Sequence, residues 1–157
     1  MGKRDARKET RECFMQLLYE MDIQRDFTIS RRDLFWSRLE GLRNYKDNEI
    51  TVVEKKGPSP EKKYFDNMYE IVTVNMEKID RVLAGASDNW KLERISRVDL
   101  AILRLAVAEL IYVEDIPDSV SINEAVELAK KFGSEDSGKF VNGILGNVVR
   151  GRDETTM

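Results

Sequence analysis

The chain has 157 residues, with 26 lysines and arginines against 29 aspartates and glutamates, no histidine, and one cysteine, Cys13. That length fits one compact domain with a core that needs no disulfide or metal. The missing histidine removes Ser-His-Asp and Cys-His nucleophilic chemistry and His-ligated metal sites. A net charge of −3 confines any nucleic-acid site to a local patch.

No apolar run is long enough to span a bilayer, and Met1-Gly2-Lys3-Arg4-Asp5 lacks the apolar core of a signal peptide. With a single cysteine, these features predict a cytoplasmic protein in a reducing compartment. Ala6 to about Arg25 reads as a first helix, because Phe14, Leu17, Leu18 and Met21 recur at helical spacing on one stripe. Ser30 to Leu42 reads as a second, with Ser30 and Asp33 in capping-box spacing and Leu34, Phe35, Leu39 and Leu42 as its apolar positions. Asn44 to Gly57 is polar and without helical period, so residues 43–58 are expected to form a surface loop. Ser59-Pro60-Glu61 starts a third helix: Ser caps, Pro fits the first turn, and Glu favours the positive end of the dipole. Phe65, Met68, Ile71, Val72, Met76, Ile79 and Leu83 carry that helix, and Gly85 stops it.

Asp88 to Ile95 is a short connector, with Trp90 and Leu92 turned inward. Ser96 and Asp99 cap the next helix, Val98 to Tyr112. Its apolar residues Leu100, Ile102, Leu103, Leu105, Val107, Leu110 and Ile111 wrap most of the circumference, which predicts a buried central helix. Beyond Pro117, Ser121-Ile122-Asn123-Glu124 reads as the capping box of an amphipathic helix that ends at Gly133. Ser134 is expected to cap a last helix running to about Arg150, with a frayed tail at 151–157. The sum is an all-α chain of six or seven helices in one domain, 1–157, with a flexible arm at 1–5.

Two flanks carry the candidate chemistry. On the last helix, Phe140 lies about 90° from the centre of the stripe Val141, Ile144, Leu145 and Val148. It shares a flank with Asp136, Lys139, Gly143 and Asn147. An aromatic beside a cation and a small residue suits a stacked base with a phosphate nearby, and equally suits ordinary packing; periodicity leaves both open. On the first helix, Lys8, Glu12, Met15 and Tyr19 lie opposite the apolar stripe, with Arg4, Arg7 and Arg11 nearby. That arrangement is either a track for single-stranded RNA or a solvated face. Asp99 and Asp136 each open a helix, where the dipole favours a carboxylate by roughly 0.3–1 kcal/mol, and nothing pairs them as acid and base. No phosphate loop, CxxC pair or acidic metal loop occurs.

The run from Ser121 to Gly133, followed by Glu135-Asp136-Ser137-Gly138-Lys139-Phe140-Val141-Asn142-Gly143-Ile144-Leu145, resembles the C-terminal signature of the NusB family of transcription antitermination factors. Arg97-Val98-Asp99, Ile102-Leu103-Arg104-Leu105-Ala106 and Glu109-Leu110 resemble its central helix, and Arg11-Glu12-Cys13 with Leu18-Tyr19 its first. The resemblance implies two small helical bundles and no enzymatic activity, cofactor or metal. It implies binding of single-stranded boxA-type RNA together with NusE, a small-subunit ribosomal protein. NusA, NusG and RNA polymerase would complete an antitermination complex on ribosomal RNA operons. By position, Arg4, Arg7, Lys8, Tyr19, Asp136, Lys139 and Phe140 would serve RNA, Asp99 would face NusE, and Arg104 would support either surface. Asp5 and Glu9 interrupt the arginine-rich start usual in the family, and the loop at 43–58 is longer than usual.

Two other readings compete. NusB-like helical domains also precede RNA cytosine methyltransferases, but these 157 residues hold no Rossmann-like segment. A homodimeric scaffold is the other, with Met15 and Tyr19 exposed on the first helix to form the contact.

Overall fold

The computed structural model describes residues 3–49, 61–87 and 91–156, and in them every regular element is a helix, with no strand. Six α-helices run in order: α1 Lys3–Gln24, α2 Ile29–Glu49, α3 Lys62–Ala86, α4 Arg97–Tyr112, α5 Asp118–Phe132 and α6 Ser137–Thr156, with a short 3-10 turn at Leu92–Arg94 before α4. They form two compact units, residues 1–65 and 66–157.

In the first unit, α1 turns its predicted stripe inward: Phe14, Leu17, Leu18 and Met21 are buried. Phe65 is their aromatic anchor. Its ring meets Phe14 edge-on at 5.7 Å, stacks with Phe35 at 6.1 Å and lies 4.8 Å from Trp36, so α1, α2 and the start of α3 share one cluster. Such pairs add about 0.5–1.5 kcal/mol beyond their buried area. At the end of α1, Asp26 N–H bonds to Met21 O and Arg25 N–H to Asp22 O, which places Arg25 in the left-handed region at φ 54. The N-terminus of α2 differs from expectation. Thr28, not Ser30, caps it: the Thr28 hydroxyl and carbonyl accept from Arg31 N–H, and Asp26 Oδ1 accepts from both Thr28 N–H and Thr28 Oγ1. These two bonds from Thr28, with lesser help from Arg31, hold the Asp26 carboxyl below its ordinary pKa of 3.8. The helix then continues through Glu49, into the segment expected to be loop. The rest of 43–58, the Ser59-Pro60 start and Trp90 lie outside the described residues.

The second unit is built on α4, as its circumferential apolar pattern predicts: every residue from Asp99 to Leu110 is buried. Ser96 caps it, accepting from Asp99 N–H at 3.1 Å. Helices α5 and α6 pack on α4 and on each other. Here the expected capping box fails. Helix α5 begins at Asp118, and Ser121 lies inside it, buried, donating its hydroxyl to Glu109 Oε1 at 2.8 Å. Glu109 is buried on α4 and needs a donor, and that need outweighs a cap already made redundant by Pro117, whose carbonyl accepts from Val120 and Ser121 N–H. Helix α6 likewise begins at Ser137 rather than beside Ser134, and it continues to Thr156, past the expected end near Arg150. Within α3, Asn75 departs from helical geometry (φ −112, ψ 15), and its amide donates to Ile71 O at 2.8 Å. A side-chain amide inserted into the ladder accounts for that kink.

Candidate nucleic-acid interface

The α1 candidates differ in exposure and in what holds them. Lys8 is exposed, and Tyr19 is 39% exposed. Eleven positions apart, they lie on one side of the helix, about 16 Å apart along its axis. Arg7 is partly withdrawn. Its guanidinium sits 3.9 Å from the Tyr64 ring centroid, and its Nη2 is 3.5 Å from Glu61 Oε2. Beside it, the buried Thr10 hydroxyl accepts from Glu61 N–H at 2.7 Å. Thr10 and Arg7 thus fasten α1 to the residues that open α3. Met15, read as exposed, is buried, and so is Arg11, read as near that face. Met15 is 2% exposed, and its burial removes half of the apolar contact on which the homodimer reading relied. The side chain of Arg4 lies outside the described residues.

On α6, the displaced aromatic is where helical geometry put it. Phe140 is half-buried, while Lys139 and Asp136 are exposed. Asp136 O accepts from Phe140 N–H at 3.0 Å, so Asp136 is the residue that opens α6. Gly143, one turn beyond Phe140, is exposed, and no atom lies within 4 Å of the position its β-carbon would take. A flat ligand can therefore approach the Phe140 flank with Lys139 alongside.

Asp99 and Arg104 have inward roles. Asp99 is 7% exposed, and its Oδ2 accepts from Ser137 Oγ at 3.1 Å, which ties the start of α4 to the first turn of α6. Arg104, 9% exposed, sets both prongs of its guanidinium on Asp80 at 2.9 Å and so clamps α4 to α3. Ser137 is a residue that pattern reading missed. It also accepts from Ser134 N–H at 2.9 Å, in space kept open by Gly133. A β-carbon at Gly133 would stand 2.4 Å from Ser137 Oγ and 2.8 Å from Ala129 O. The signal was present as a glycine four residues before a serine, but spacing does not say which hydroxyl turns inward. Among the described residues, no three His, Cys, Asp or Glu side chains are grouped to hold a metal ion, and no helix is long and apolar enough to cross a membrane.

A sequence model of the NusB family matches residues 8–150. The chain belongs to the NusB family. The transcription antitermination protein NusB of Alkaliphilus oremlandii is 43% identical over 146 residues, covering 92% of this chain and 93% of that protein. Among solved structures, NusB from T. maritima superposes with a TM-score of 0.71 at 27% identity, covering 96% of this chain and 97% of that one. The antitermination factors NusB and NusE in complex with dsRNA give a TM-score of 0.70 at 25% identity, covering 96% of this chain and 99% of that one. The NusB family match takes in Lys8, Tyr19, Asp99, Arg104, Asp136, Lys139 and Phe140, and begins after Arg4 and Arg7.

Proposed function

We propose that this protein is a non-catalytic antitermination factor that binds single-stranded boxA-type RNA together with NusE. In this reading it joins NusA, NusG and RNA polymerase in the cytoplasm to support transcription of ribosomal RNA. The observation that carries RNA binding with NusE is family membership combined with likeness, over 96% of the chain, to a NusB solved with NusE in complex with dsRNA; the single-stranded preference rests on Tyr19 and Phe140 as rings able to stack bases. Lys8, Lys139 and Arg4 neutralise phosphates, Tyr19 and Phe140 stack unpaired bases, and Asp136 borders the Phe140 flank. Arg7, held by Glu61 and Tyr64, contributes less than a free cation would. Asp99 and Arg104 serve the NusE side by holding α4, α6 and α3 in place, since both side chains are buried.

Fluorescence anisotropy with a labelled boxA-like RNA, with and without NusE, tests the reading. The RNA is expected to bind more tightly with NusE present, and Phe140→Ala to weaken binding by about 1–3 kcal/mol. A duplex of the same sequence is expected to bind less tightly, because its bases cannot stack on a side chain. Failure to bind with or without NusE, or equal binding of the duplex, refutes it.

A further inference from the structure

The second unit contains a cleft of about 590 Å³ that the RNA-binding reading does not use. It opens between the C-terminal half of α3 and the ends of α4 and α6. Val82, Ile111 and Val148 give it an aliphatic floor, and Lys78, Arg81 and Arg152 stand around its rim. Among the described residues, no acidic side chain lines it, in a chain that carries 29 acidic residues against 26 basic ones.

The three cations differ in what holds them. Arg152 is fixed, with its guanidinium on Asp118 and Nη1 donating to Leu110 O at 3.0 Å. Lys78 lies with its ammonium 5.7 Å from the Tyr112 ring centroid. Arg81 reaches Glu77 at 3.7 Å, in a pair whose side chains are 69% and 91% exposed. Such a solvent-screened pair is weak, so an incoming carboxylate can replace Glu77 at little cost.

We propose that this cleft docks an acidic segment of a partner protein, which seats one or two bulky apolar side chains on the floor and sets carboxylates against Lys78 and Arg81. Charge complementarity and size carry the proposal. An aliphatic floor with a cationic rim matches an amphipathic acidic peptide, and the volume suits a few side chains rather than a domain. RNA fits less well: among the described residues no aromatic ring lines the cleft for a base to stack on, and a phosphate chain would leave the floor wet.

Selection of displayed random peptides on the full chain tests this, with counter-selection on a variant whose cleft is filled by Gly85→Leu and Gly151→Leu. Both glycines line the cleft on helices and have no atom within 4 Å of a β-carbon position, so a side chain can start there and grow into the cleft. Enriched peptides are expected to carry Asp and Glu around Leu, Ile, Phe or Trp. A synthetic copy of the most enriched peptide is expected to lose tenfold or more in affinity for Arg81→Glu and for the filled variant, while both variants keep wild-type affinity for boxA-like RNA. If the filled variant melts early, Arg81→Glu at its exposed position carries the comparison. Failure to enrich any peptide, enrichment of basic peptides, or equal binding by the filled variant overturns the proposal. So does RNA binding lost on filling, which would assign the cleft to RNA, or self-association lost on filling, which would assign it to a second copy.

Discussion

Gly133→Ala should damage the protein far more than its size suggests. The glycine ends α5 at φ −92, a value any residue adopts, so backbone freedom is not the issue. The issue is space: the added methyl would sit 2.4 Å from Ser137 Oγ and 2.6 Å from its Cβ. Ser137 cannot yield without releasing Asp99, whose Oδ1 already has no hydrogen-bond partner and whose Oδ2 depends on that hydroxyl. Overpacking at such a site costs about 1–3 kcal/mol. Stranding the buried carboxylate oxygen adds about 1–3 kcal/mol. Urea and thermal unfolding should therefore show a loss of about 2–6 kcal/mol, at about 2–4 °C of melting temperature per kcal/mol for a chain of this size. Gly143→Ala is the matched control, because its methyl meets nothing within 4 Å and alanine is the better helix former by about 1 kcal/mol. That variant should be as stable as wild type or slightly more so. A Gly133→Ala protein within about 0.5 kcal/mol of wild type would refute the coupling of α5, α6 and α4 through Ser137 and Asp99.

Arg104→Ala leaves Asp80 without its two-pronged partner and should cost about 2–3 kcal/mol in urea unfolding, with Arg104→Lys recovering only part because an ammonium cannot make both bonds. Arg25→Gly relieves the left-handed backbone at φ 54 and should stabilise by about 0.5 kcal/mol, the relief of about 1 kcal/mol being partly offset by the freer unfolded chain; a loss of stability would contradict the turn geometry. Asp26 has a folded pKa below its ordinary 3.8, so its contribution is complete above that value and disappears as pH falls through the lowered one. Asp26→Asn should then be less stable than wild type at neutral pH, and the two urea midpoints should converge as the pH falls below 3.8; a constant gap would contradict the assignment.

What pattern reading recovered and what it missed divide along a physical line. Periodicity found the α1 stripe and the buried α4 because each is a sum over many apolar residues, so one misread position does not change the sum. The Ser96 cap was legible because that hydroxyl serves its own helix. Ser121 was misread for the opposite reason. Its hydroxyl has two possible customers, the helix end and the buried Glu109, and only the fold brings the second within reach. Ser30 yielded to Thr28 because Asp26 and Thr28 build a turn whose bonds skip short distances in sequence. Met15 and Arg11 look like surface residues on an isolated helix wheel, but α1 is enclosed more widely than one stripe. At the candidate interface, helical angle alone placed Phe140 at the edge of the core. The inward turn of Arg7, Asp99 and Arg104 followed from partners 24 to 54 residues away, which no local pattern encodes.

Chemical-shift mapping of the isotope-labelled chain against a boxA-like RNA, in the presence of unlabelled NusE, tests the proposed interface most directly. The amides of Lys8, Tyr19, Lys139 and Phe140 are expected to shift with the RNA and to do so with a common affinity, while those around Arg104 stay in place. Shifts that leave both the Lys8–Tyr19 face and the Phe140 flank untouched would contradict it.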